Sequence, residues 1–105
     1  MFKRMPILPL TELETIDAVR YWVTQALAEA YVTRNQWQAL TEFLAPRVPV
    51  HATLACRTPK GVIYVLLRNP DGTLSTYRLS PRADWYHPGQ SDEEFRRAAQ
   101  LNPSQ

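Results

Sequence analysis

The spacing of apolar residues changes once along this chain, near Val48, and that change constrains the fold more than any other feature. Before Val48 apolar positions recur every three or four residues. Beyond it they alternate, or run together between turn signals. Helical period first and strand period second belong to the α+β class rather than to an alternating α/β fold. A length of 105 residues gives room for one domain over 1–105.

In the helical half, Thr11-Glu12-Leu13-Glu14 has the form of a capping box. Leu13, Ile16, Val19, Val23, Ala26, Leu27 and Ala30 follow as one stripe, which predicts a helix over 11–32. Thr33 to Gln36 can form a corner. Trp37, Leu40, Phe43 and Leu44 then make a second, shorter stripe that Pro46 ends, because the residue before a proline avoids the helical region. The same pattern also fits one bent helix.

In the strand half, Val48, Val50, Ala52, Leu54 and Cys56 alternate with more polar neighbours up to Arg57. Thr58-Pro59-Lys60-Gly61 reads as a turn. Val62 to Arg68 is nearly all apolar and β-prone, as a central strand is. Asn69-Pro70-Asp71-Gly72 is a second turn, and a third strand runs from Thr73 to Leu79 before Pro81. Residues 82–90 read as an aromatic loop. Ser91-Asp92-Glu93-Glu94 is another capping box, opening a helix to about Gln100. Residues 101–105 read as a frayed tail and 1–10 as an extended arm. Pro6 and Pro9 interrupt the arm's apolar run and Glu12 and Glu14 follow it, unlike a signal peptide. No internal repeat, low-complexity tract or linker stands out. The predicted architecture is α+β: a helical hairpin packed on one face of a three-stranded antiparallel β-meander, with a short C-terminal helix (order ααβββα).

Strand register decides which side chains share a face. A four-residue first turn puts Arg57 opposite Val62, and a bulged second turn puts Asn69 opposite Thr73. One face then holds Val50, Ala52, Leu54, Cys56, Ile63, Val65, Leu67, Tyr77 and Leu79, an apolar seat for the helices. The other holds His51, Thr53, Ala55, Arg57, Val62, Tyr64, Leu66, Arg68, Leu74, Thr76 and Arg78, with Tyr64 and Arg78 as cross-strand partners. Tyrosine and arginine among aliphatics, without acids, is closer to interface composition than to an ordinary solvent face. The candidate binding residues are therefore Arg57, Tyr64, Arg68 and Arg78, with Trp85 and Tyr86 at the rim. Alternatively, the C-terminal segment, with Trp85, Tyr86 and Phe95, folds back over this face.

Little points to catalysis. His51 and Cys56 have opposite parity in a strand, so a regular strand keeps them apart. Asp84 and His87 have no candidate nucleophile beside them. The lone Cys56 excludes an internal disulfide and a two-thiolate zinc site, and it fits a reducing, cytoplasmic compartment. No metal-ligand spacing is present. Gly61, Gly72 and Gly89 are accounted for by turns rather than by a phosphate-cradling loop, so no cofactor is expected. No stretch approaches the ~18 apolar residues of a membrane span.

The net charge is only +2, yet Arg47, Arg57, Lys60, Arg68, Arg78 and Arg82 fall in 46–82 against the single acid Asp71. These observations lead to a non-catalytic protein-interaction, assembly or adaptor module, with a second copy in a homodimer as one candidate partner. A nucleic-acid-binding domain using the same basic face is the alternative. An inhibitor or immunity-type protein is a third reading.

Overall fold

In the computed structural model the described residues are 8–9, 13–50, 54–89 and 93–100. The helical half forms two helices joined by a tight corner. Helix α1 spans Ile16–Ala28 and is capped by Thr15, whose hydroxyl accepts the Ala18 amide at 3.0 Å. The cap expected at Thr11 thus falls four residues later, because Leu13 belongs to the sheet side: its carbonyl accepts the Val50 amide at 2.8 Å in an isolated antiparallel bridge. Thr11 and Glu12 lie outside the described residues. The helix also ends before residue 32. Ala30 turns left-handed (φ 64°), and the Tyr31 amide bonds back to the Ala26 carbonyl at 2.9 Å, which closes a Schellman motif.

Helix α2 spans Arg34–Leu44. The expected corner at Thr33 to Gln36 is its capping box: Thr33 Oγ1 accepts the Gln36 amide and Gln36 Oε1 accepts the Thr33 amide, each at 3.1 Å. Two helices, not one bent helix, therefore form. A turn of 3-10 helix at Ala45–Arg47 carries Pro46.

The sheet is antiparallel, in the order β1-β2-β3-β4-β5. Strands β2 (Leu54–Arg57), β3 (Ile63–Arg68) and β4 (Leu74–Leu79) are the expected meander. Two edge strands extend it. Strand β1 (Leu8–Pro9) comes from the arm and pairs with β2; β5 (Trp85–Gly89) comes from the expected aromatic loop and pairs with β4. Helix α3, Glu93–Gln100, follows; Ser91 and Asp92, the start of its expected capping box, lie outside the described residues, as does the 101–105 tail.

Three five-residue segments, starting at Thr58, Asn69 and Ser80, explain β5. Each places proline second and a left-handed residue fourth: Thr58-Pro59-Lys60-Gly61-Val62, Asn69-Pro70-Asp71-Gly72-Thr73 and Ser80-Pro81-Arg82-Ala83-Asp84. Their hydrogen bonds are alike. The first amide bonds to the fifth carbonyl at 2.9, 2.7 and 2.9 Å, and the fourth amide to the first carbonyl at 2.9 Å in all three. The left-handed φ values are 86°, 88° and 67°. This is a type I turn closed by a bulge. The turn is thus an internal repeat that the pattern reading missed, and it makes Pro81 the start of a hairpin, not the end of the sheet.

The same geometry corrects one register. Thr58 pairs with Val62, so Arg57 lies opposite Ile63 rather than Val62. A shift of one residue exchanges the faces of β2. Ala55 and Arg57 move to the helix side, with Ile63, Val65, Leu67, Tyr77, Leu79 and Trp85. Cys56 moves to the other side. The main core packs Val19, Val23, Leu40 and Leu44 against Ala55, Ile63, Val65 and Leu79. On the second face α3 lies over β2, β3 and β4, and buries Phe95 and Ala98 against Cys56 and Leu66.

Candidate functional site

The expected site residues fall into three places. Tyr64, Arg78 and Tyr86 form one row across β3, β4 and β5, since Tyr64 pairs with Arg78 and Arg78 with Tyr86. Counting back from the bonded pair Asn69–Thr73 makes Tyr64 and Arg78 a non-hydrogen-bonded pair, the kind whose side chains stand closer. The Arg78 guanidinium lies 5.0 Å from the Tyr86 ring centroid, within cation–π range. Tyr64 is half-buried, because it packs beside the α3 cluster. Tyr86 is 52% exposed, so α3 covers the middle of this face and leaves its β5 flank open. The expectation that the C-terminal segment folds back over this face therefore holds for Phe95 of α3 and not for Trp85 or Tyr86.

Arg68 shares the face but not the row. It is exposed, opposite Leu74, and four residues along β3 from Tyr64, a separation of about 13 Å. It helps to line a cavity of about 580 Å³ at that end of the sheet, with Arg47, Val50, Leu67 and Tyr77.

Arg57 and Trp85 are not on this face. Trp85 stacks on Phe43 with centroids 4.2 Å apart and meets the Tyr77 ring edge-on. Arg57 is 7% exposed, and its Nη1 donates to the Tyr31 carbonyl at 2.6 Å and to Gln36 Oε1 at 3.4 Å. Burial pulls its pKa below the ordinary arginine value. Pattern reading missed the residue that organises this region. Gln36 is fully buried, and its Nε2 donates to the Gly61 carbonyl at 2.9 Å and the Ser80 carbonyl at 3.2 Å. One side chain thus pins the first turn of α2 to the β2–β3 and β4–β5 turns. A glutamine three residues after a cap was the available signal for its Oε1; nothing in the sequence signalled its Nε2 partners.

Cys56 is buried beneath α3, and desolvation raises its pKa to about 11. A thiol held neutral in this way is inert as a nucleophile. The structure of residue 51 and the side chain of His87 lie outside the described residues. Asp84 is exposed in the β4–β5 turn, just before β5. Among the described residues no group of three His, Cys, Asp or Glu is placed to hold a metal ion, and no helix is long and apolar enough to cross a membrane. Comparison with protein-family models, curated proteins and solved structures finds no match to this chain.

Proposed function

We propose that the chain is a protein-interaction module and that it engages its partner through the β5 flank of the sheet, centred on Tyr86 and Arg78. The observation that carries this reading is Tyr86 itself. A large ring stands 52% exposed on a sheet face whose neighbouring part is covered by a helix, and a guanidinium lies against it. Tyrosine and arginine are the residue types that dominate binding energy in protein interfaces, since each offers broad apolar area with polar groups attached. Both are ordered here by cross-strand neighbours, which lowers the entropy lost on binding.

The role is that of an adaptor or assembly component rather than of an enzyme, in a reducing compartment such as the cytoplasm. The test is recovery of partners from nuclease-treated lysate of the source cells, with wild type beside Arg78→Glu and Tyr86→Ala. Loss of one specific protein in both variants supports the reading. Recovery that collapses on nuclease treatment moves the assignment to nucleic acid, whose phosphates would meet the same arginines. Recovery unchanged in both variants removes this surface from consideration.

A further inference from the structure

We infer that the corner next to Tyr86 recognises a carboxylate-rich segment of a protein partner. This rests on the interaction reading above and names the chemistry of the partner. The inference comes from what Gln36 joins. Its Nε2 is bonded to both Gly61 and Ser80, so the β2–β3 turn, the β4–β5 turn and the start of α2 meet at one point. Lys60 precedes Gly61 and Arg82 lies two residues beyond Ser80, whereas Arg34, two residues before Gln36 on α2, lies on the opposite side of that helix. All three are exposed. Lys60 and Arg82, distant in sequence, are thus brought to one corner, and Arg78 stands two residues before Ser80 on β4. Arg57 lies beneath, with its Nη2 at 3.0 Å from where a Cβ on Gly61 would sit.

No carboxylate among the described residues pairs with Arg34, Lys60, Arg78 or Arg82. The acids flanking the corner are Glu29 and Glu42 on the helical side and Asp84 in the turn itself. Glu42 accepts from Gln38 at 3.3 Å. Lys60, Arg82 and Arg78 form a basic patch on the turn side of the corner, with Asp84 as the acid in the β4–β5 turn itself. The extent of the patch is that of two adjacent turns, which suits a short acidic segment. A nucleic-acid strand would need a longer track of cations and more than one exposed ring.

The test uses a labelled Glu-rich peptide, the same peptide with Gln for Glu, and single-stranded oligothymidylate, each followed by anisotropy at low salt. The Glu peptide should bind saturably and the Gln peptide should not. Lys60→Glu/Arg82→Glu should weaken binding about tenfold or more, because charge-assisted contacts are lost and repulsion is added. Arg20→Glu/Arg96→Glu, the same charge change elsewhere, should alter it by no more than about twofold. All four positions are exposed, and circular dichroism checks that both variants fold. Absence of Glu-peptide binding, tighter binding of oligothymidylate, or equal loss in both variants overturns the inference. Capture of the lysate partner separates it from the reading beneath it. Capture lost in Tyr86→Ala but kept in Lys60→Glu/Arg82→Glu removes the acidic-segment inference alone, whereas capture kept in both removes the two together.

Discussion

Ala83 occupies the left-handed position that Gly61 and Gly72 fill in the two sister turns. Alanine there crowds its Cβ against the backbone, at about 1 kcal/mol or more. Glycine relieves this but loses more entropy on folding. The balance predicts that Ala83→Gly stabilises the fold by about 0.5–1 kcal/mol in urea denaturation. Ala30, at the Schellman position after α1, should respond in the same direction. The alanine also explains why β5 escaped the pattern reading: glycine is the usual mark of such a turn, and Ser80-Pro81-Arg82-Ala83 lacks it. Cys56 gives a second expectation at this scale. Its folded pKa of about 11 lies above that of an exposed thiol, so the neutral form is favoured in the fold. The unfolded thiol ionises first as pH rises. Stability attributable to Cys56 is then complete below about pH 9 and falls by ~2–3 kcal/mol by pH 11. Wild type should lose more stability than Cys56→Ala across that interval, and its thiol should react with a disulfide reagent far more slowly when folded than in denaturant.

The elements themselves were legible where period and punctuation agree. The helical half and the two inner turns follow from stripes, prolines and glycines and the short last helix from its acidic cap, while the break between α1 and α2 was left open by the pattern. The start of α1 was not legible: the pattern put the cap at Thr11, whereas Thr15 caps the helix and Leu13 is held in a bridge to the distant Val50. How the elements dock depends on Gln36, which touches three of them. Gln36→Leu keeps a similar volume but leaves the Gly61 and Ser80 carbonyls and the Thr33 amide without that partner. Such a change should destabilise the fold by ~2–4 kcal/mol. Helix α3 is held chiefly by Phe95, which is 3% exposed. Phe95→Ala should cost about 3–5 kcal/mol if α3 stays docked, or free α3 and expose Cys56 to the same thiol reagent. Proton exchange of the α3 amides distinguishes the two.

At the scale of the whole molecule, a single register step decided how much of the surface could be foreseen. The β3–β4 pairing was read correctly, so Tyr64 and Arg78 are partners as expected. The β2–β3 pairing was read one residue off, which placed Arg57 on the outer face when its guanidinium in fact braces the helical corner. The discarded residue and the retained ones are still parts of one arrangement. Arg57 and Gln36 hold the turns together from within, and those turns present Lys60, Arg82 and the Tyr86 flank outside. The most direct measurement is a paired one on Tyr86→Ala: thermal stability, and affinity for the protein recovered from nuclease-treated lysate. The account predicts an unchanged melting midpoint with affinity lowered by ~1–3 kcal/mol, the range of interface anchors. Unchanged affinity, or a midpoint that falls together with it, would contradict a binding role for this surface.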